Sequence, residues 1–218
     1  MRPSLLLKLP IIALWIFASS IASADAAPWA SNDYVDLYFR IYNGQVPLPH
    51  LRNEKQKALF AHLIDPENLA SIESADVLEN QKRQQLEIIL ATVSAFRSRY
   101  NSAIVVGEPL EQELALVQAY ELQVLGSLAK ISPQDANVDV AHPSWTTLIA
   151  GVIDGVENRK TFSATQSAIM ADAITRNYPA IAVALSAGDR KLIRAEALKL
   201  GNAGDNQGLD EARHQLLQ

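Results

Sequence analysis

The chain has 218 residues, a net charge of −5 and no cysteine. The absence of cysteine excludes disulfides, thiol catalysis, cysteine-ligated zinc and c-type haem attachment. The acidic charge argues against general binding to nucleic acid or to anionic membranes. The length is sufficient for one domain with a substantial core or for two small ones.

Residues 1–26 have the composition of a secretory signal peptide. Arg2 and Lys8 precede a short apolar run, and small residues follow it, so we expect cleavage after Ala24 or Ala26. The apolar run is shorter than the roughly 20 residues that a membrane-spanning helix needs. Cleavage after Ala24 removes two of the 19 basic residues and none of the 24 acidic ones, which changes the net charge from −5 to −7. We therefore predict Sec-type export to the periplasm or the medium, with no stable membrane insertion of the processed chain.

Residues 27–218 are predicted to form a single all-α domain, an irregular bundle of about seven or eight helices joined by turns rich in proline and glycine. The first helix is expected over 32–43, with Ser31 as its N-cap and Gly44 as its stop. Three tyrosines lie on one face of this helix because they are spaced by four residues: Tyr34, Tyr38 and Tyr42.

The middle of the chain carries clear helix signals. Asp65 followed by Pro66 is typical of an N-cap and a first helical position, and Ser74 is a candidate cap for a long helix. The spacing of apolar residues predicts helices over 51–64, 75–103 and 109–131. The last two are long and are joined by a tight turn, so we expect an antiparallel pair.

The polar segment 132–142 is predicted to be a loop and is the candidate point at which the domain could be subdivided. Further helices are expected over 143–158, 163–178, 180–187 and 189–200, with a short one at the end. Ser163 and Gln166 form a capping box, whereas Pro179 is expected to break a helix. Gly188 and Asp189 should end one helix and cap the next. The pair Gly151 and Gly155 indicates close backbone packing against a neighbouring helix, or a self-association face.

Motifs that carry chemistry are sparse. The sequence has no HExxH motif, no Gly-x-Ser-x-Gly motif and no nucleotide-binding glycine loop. Asp154 and Asp172 are acids within apolar helical runs, and Glu211 with His214 is a single Glu-x-x-His pair where a di-iron bundle needs two. The other histidines are His50, His62 and His142. We therefore predict no catalytic residue, no metal site and no cofactor, and lean against an enzyme.

Two clusters are candidates for an interaction surface. The tyrosine stripe Tyr34, Tyr38 and Tyr42 is one, because tyrosine is frequent in binding hot spots; core packing is the alternative. The basic residues Arg190, Lys191 and Arg194 are the other, with a solvated helix face as the alternative.

These features favour an exported helical protein that acts by contact with another protein, such as a periplasmic accessory, a scaffold, or an inhibitor or immunity-type module. The identity of the protein partner stays open. One alternative is a carrier of small apolar ligands, with a pocket between helices lined by Phe96, Tyr100 and Trp145. A less favoured alternative is a hydrolase of envelope polymers, which needs convergent acids.

Overall fold

The computed structural model describes residues 27–131, 149–151, 153, 163–198 and 207–217. Over these ranges the chain forms eight α-helices and no strand, which confirms the predicted all-α bundle. The helices are α1 Ser31–Tyr42, α2 Glu54–Leu63, α3 Pro66–Ser74, α4 Glu79–Val105, α5 Glu111–Ile131, α6 Ala164–Ala184, α7 Ala187–Ala197 and α8 Gln207–Leu217. The predicted leader, the 132–142 loop and most of the 143–158 helix lie outside the described residues.

Helix α5 is the central element of the bundle. It contacts α3, α4 and α6, and residues on all of its faces are buried. The pairing of α4 with α5 is antiparallel, as predicted: Arg97 faces Glu121, while Tyr100, further along α4, lies near Glu113 at the start of α5.

The other helices pack around this centre. Helix α1 lies against α4, while α8 contacts both α6 and α7. Buried apolar side chains from all eight helices belong to one cluster, which also includes Ile149 and Ile153. Burial of this kind stabilises the fold by roughly 25 cal/mol for each Å² of apolar surface removed from water.

Two of the predicted helix starts are confirmed by their hydrogen bonds. The Asp65 carboxylate accepts the Glu67 N–H at 3.0 Å, and Pro66 is the first residue of α3. At the start of α6 the Ser163 N–H donates to the Gln166 side chain at 2.6 Å, and the Gln166 N–H donates to the Ser163 hydroxyl at 3.3 Å. Both signals are local, so nearby sequence is sufficient to predict them.

Two other starts were predicted at the wrong residue. Ser31 is the first residue of α1 and is buried, and the Asp33 carboxylate accepts the Ala30 N–H at 2.8 Å instead. Ser74 is the last residue of α3, where its hydroxyl donates to the Ala70 carbonyl at 2.8 Å. Helix α4 begins only at Glu79, and its N-cap is Leu78, which has no side-chain oxygen to accept a capping hydrogen bond.

The predicted break at Pro179 is wrong, because α6 continues through this residue to Ala184. The proline itself is exposed, whereas its neighbours Tyr178 and Ile181 are buried. Proline in a helix interior costs about 3 kcal/mol, and burial of the flanking side chains offsets that cost. The stop and cap predicted at Gly188 and Asp189 are also displaced: Ser186 is the N-cap of α7 and accepts the Asp189 N–H at 3.2 Å.

Helix α5 packs closely against α6 at Gly126, a glycine that the sequence analysis did not single out. A Cβ atom on Gly126 would lie 2.9 Å from the Asn177 side-chain oxygen and 3.3 Å from its Cβ. A Cβ atom on Gly151 would meet no heavy atom of the described residues within 4 Å, so this part of the chain shows no close packing at Gly151. Gly155 lies outside the described residues.

Candidate functional site

The tyrosine stripe of α1 passes from the core to the surface. Tyr34 is fully buried, Tyr38 is half-buried, and Tyr42 is 63% exposed. The buried apolar side of α1 is formed by Tyr34, Leu37 and Ile41. A step of four residues rotates about 40° beyond one full helical turn, so the stripe turns away from the core as it passes from Tyr34 to Tyr42. The three residues therefore do not form one surface.

Tyr34 belongs to a buried hydrogen-bonded network around Asn68, which is itself fully buried. The Asn68 amide nitrogen donates to the Tyr34 hydroxyl at 2.8 Å and to the His62 carbonyl at 2.7 Å, and its oxygen accepts the Trp29 N–H at 2.7 Å. The hydroxyls of Tyr34 and Tyr120 share a further bond of 2.6 Å. Buried polar groups need such partners, and this network joins α1, α3 and α5.

Burial raises the pKa of the Tyr34 and Tyr120 phenols above their ordinary value. Both groups therefore stay protonated and can donate hydrogen bonds over the physiological pH range. Tyr34 is a core residue that no partner can reach, and its assignment to an interaction surface is corrected accordingly.

An exposed aromatic cluster occupies the C-terminal half of α1. Phe39 is 55% exposed and Tyr42 is 63% exposed. The Tyr38 ring contacts both of them, with its centroid 6.0 Å from that of Phe39 and 6.3 Å from that of Tyr42. The Arg99 guanidinium, on α4, lies 5.4 Å from the centroid of the Tyr42 ring. These four residues, Tyr38, Phe39, Tyr42 and Arg99, are called the aromatic face below.

The aromatic face is held in place from beneath. The Tyr38 ring stands edge-on to the buried Phe96 ring, with centroids 5.7 Å apart and planes 87° apart. Edge-to-face aromatic pairs contribute about 0.5–1.5 kcal/mol beyond the area that they bury. Arg99 makes a cation–π contact with Tyr42 and, among the described residues, no ion pair with a carboxylate.

The basic cluster at α7 divides into a structural and an exposed part. Arg190 is half-buried, and its guanidinium donates to the carbonyls of Ala182 and Leu185 at 2.9 and 2.6 Å, which caps the C-terminal end of α6. Lys191 and Arg194 are exposed. Arg190 therefore has a role within the fold, and the other two remain candidates for contact with a partner.

Glu121 is a buried acid that the sequence analysis did not single out, and it is 1% exposed between α4 and α5. It accepts a hydrogen bond from the Ser94 hydroxyl and pairs with Arg97 at 3.0 Å. Burial raises the pKa of the Glu121 carboxyl, while Arg97 and Ser94 lower it by a smaller amount. A signal was present: Glu121 fills the gap between Val117 and Val124 in an otherwise apolar stripe.

The remaining acids and histidines do not converge within the described residues. Asp172 pairs with Arg176 on the surface of α6 at 2.9 Å.

The histidines of the described ranges are also separate from one another. The His62 ring packs edge-on against Trp29, and the His50 Nδ1 atom accepts the Arg52 backbone N–H at 3.2 Å. His214 is exposed on α8. No group of three or more histidine, aspartate or glutamate side chains in these parts of the chain could hold a metal ion. Asp154 and His142 lie outside the described residues.

Two of the three residues expected to line an apolar pocket are core residues. Phe96 is fully buried against Tyr38, and Tyr100 is fully buried with its ring 6.1 Å from that of Phe60. The Tyr100 hydroxyl donates to the Pro49 carbonyl at 2.6 Å. Trp145, the third, lies outside the described residues.

The chain matches no protein-family model, no curated protein and no solved structure. Within the described ranges, none of the helices combines the length and the apolar character that crossing a membrane requires.

Proposed function

We propose that this chain is an exported helical protein that acts by binding another protein through the aromatic face. The observation that carries the proposal is the exposure of Phe39 and Tyr42 beside Tyr38 and Arg99. Large aromatic side chains left in water cost free energy that a partner can recover. Tyrosine and arginine are also the residue types enriched in binding hot spots.

The rigidity of the aromatic face supports this function. Tyr38 is fixed by Phe96, and Tyr42 is fixed by its contacts with Tyr38 and Arg99. Side chains that are already ordered lose less conformational entropy on binding, so more of the contact energy appears as affinity. A surface of this kind is suited to an accessory, a scaffold or an inhibitor.

The export part of the proposal is based on residues 1–26. Their basic head, apolar run and small-residue end are typical of a cleaved Sec signal. The lack of cysteine fits a fold that is stabilised by apolar burial and hydrogen bonds without disulfides.

A paired substitution tests the contact function. Phe39→Ser with Tyr42→Ser should reduce recovery of the partner from an extract of the producing cell by at least about tenfold, since each hot-spot aromatic contributes about 1–2 kcal/mol or more. The matched control is Val77→Ser with Leu78→Ser, which removes two exposed apolar side chains from the segment before α4. The measurement is quantitative mass spectrometry of co-purified proteins, with thermal unfolding to show that both variants fold. Equal loss with both pairs, or retention of every partner by the first, would contradict the proposal.

Export has a separate test in the mass of the chain. The chain recovered from the periplasm or medium should begin at Asp25 or Ala27, as intact mass spectrometry would show. A full-length chain found only inside the cell would refute export while leaving the contact function open.

A further inference from the structure

A strip of small residues runs along the exposed side of α4. Ala91, Ala95, Ser98 and Ser102 are spaced by four, three and four residues, so they lie on one side of the helix. Three of them are exposed and Ala95 is half-buried. These four residues are called the small-residue strip below.

The two serine hydroxyls of the strip already donate hydrogen bonds within α4. The Ser98 hydroxyl donates to the Ser94 carbonyl at 3.1 Å, and the Ser102 hydroxyl donates to the Ser98 carbonyl at 2.9 Å. Both donor hydrogens are directed back to the α4 backbone. The outer surface therefore consists of alanine methyl groups, serine CH₂ groups and hydroxyl oxygens that can still accept hydrogen bonds. Small side chains allow another helix to approach closely, because the distance between packed helices depends on the side chains at the contact.

The strip and the aromatic face meet at Arg99. This residue is four positions after Ala95 and three before Ser102, so it borders both on the helix surface. Its guanidinium also lies over the Tyr42 ring of α1. The large side chains of the aromatic face therefore lie beside the small side chains of α4, and Arg99 lies between the two sets.

We infer that this combined surface binds an amphipathic α-helix of the protein partner, and that an aspartate or glutamate of that helix pairs with Arg99. The inference rests on the proposed function and specifies the partner that the aromatic face takes. An amphipathic helix places apolar residues on one side at spacings of three and four, which matches a surface where exposed aromatic side chains lie beside small residues. A carboxylate supplies the charged acceptor that Arg99 lacks among the described residues.

The test uses a photo-crosslinking amino acid placed singly at Phe39, at Ser98 and, as a control, at Val183 in the full chain. Val183 is 67% exposed on α6. We expect the probes at Phe39 and Ser98 to crosslink to the same segment of one partner, and the probe at Val183 not to crosslink to it. Mass spectrometry of that segment should show apolar residues at helical spacing together with an aspartate or glutamate.

Charge substitutions test the role of Arg99 in the same cells. Arg99→Glu should reduce the yield of the Ser98 crosslink by about tenfold or more, whereas Arg99→Lys should retain most of it, because only the first reverses the charge. Circular dichroism of both variants would show that the helices are intact.

The outcomes separate this inference from the proposed function. Crosslinks from Phe39 but none from Ser98 would overturn the helix-binding inference and leave protein contact through α1 in place. Silence from both probes would overturn both. A crosslink to a second copy, a segment without an acidic residue, or full yield with Arg99→Glu would each overturn the inference alone.

Discussion

Glu121 lies in an environment that disfavours its charged form. Its carboxyl group lies in an apolar seam between α4 and α5, with Arg97 and Ser94 as its partners. Arg97 is only 23% exposed, so water contributes little to the solvation of this pair. Buried ion pairs of this type contribute little net stability, since desolvation cancels much of the attraction.

The pKa of Glu121 predicts a pH dependence of stability. Because burial raises this pKa in the folded state, the folded chain takes up a proton at a pH where the unfolded chain is still ionised. The contribution of Glu121 to stability is therefore complete below its unfolded pKa of about 4.3 and is lost as the pH rises through the folded pKa. We expect the unfolding free energy of the wild type, relative to Glu121→Gln, to increase from about pH 8 to about pH 4.

Urea denaturation across that range would measure the difference. Glu79→Gln, an exposed position on α4, is the control for loss of one negative charge. A wild type that loses stability relative to Glu121→Gln on acidification would show that the sign is wrong.

Residues differ in how far the sequence alone can place them. Asp65 and the pair Ser163 and Gln166 were predicted as caps because their partners are two or three residues away. The role of Asn68 was missed, because it depends on Trp29 and Tyr34, which are distant along the chain. A single sequence carries no local signal for such contacts.

At the scale of helices, tertiary packing decides where α6 ends. The rule that proline breaks a helix treats the backbone alone, and Pro179 has a buried tyrosine before it and a buried isoleucine two positions after it. The helix continues because both side chains are buried in the core. Rules based on local sequence do not include the free energy of this burial. The same reasoning explains why the cap of α7 is Ser186, directly after the buried Leu185.

The contact between α5 and α6 predicts opposite effects for two glycine substitutions. Gly126→Ala should lower the unfolding free energy by about 1–3 kcal/mol, because its Cβ would overlap the Asn177 side chain. Gly188→Ala should raise it by about 0.5–1 kcal/mol, because this helical position is exposed and its Cβ would make only an ordinary contact with Ser186 at 3.6 Å.

Chemical denaturation of both variants provides the measurement. Asn177→Ala combined with Gly126→Ala should cost less than the sum of the two single changes, since the two residues touch. A neutral Gly126→Ala would show that the Asn177 side chain can move aside at a cost no larger than the helix propensity that alanine gains over glycine, about 1 kcal/mol.

At the scale of the whole molecule, the sequence predicted which residues share a helix face but not how deep that face lies. Periodicity groups Tyr34, Tyr38 and Tyr42, yet it contains no information about where α1 crosses the bundle. The aromatic face could therefore be proposed only in part, and Arg99, on another helix, was not included. Depth depends on the order in which helices pack, which a helical wheel does not define.

The single core cluster predicts cooperative unfolding. Since buried side chains of all eight helices belong to one cluster, we expect one transition in urea, with the same midpoint by far-ultraviolet circular dichroism and by tryptophan fluorescence. Two separate midpoints would contradict a single cooperative unit and would favour a subdivision near residues 132–142.

Tyr38 contributes both to the core and to the aromatic face. One edge of its ring is part of the packing around Phe96, and the other side supports Phe39 and Tyr42 at the surface. A substitution of Tyr38 would change both the stability of the fold and the affinity for a partner. A substitution of Phe39, which is 55% exposed, would have little effect on the core. Under selection, Tyr38 should therefore drift slowly even if the binding partner changes, and Phe39 should be the position through which specificity evolves.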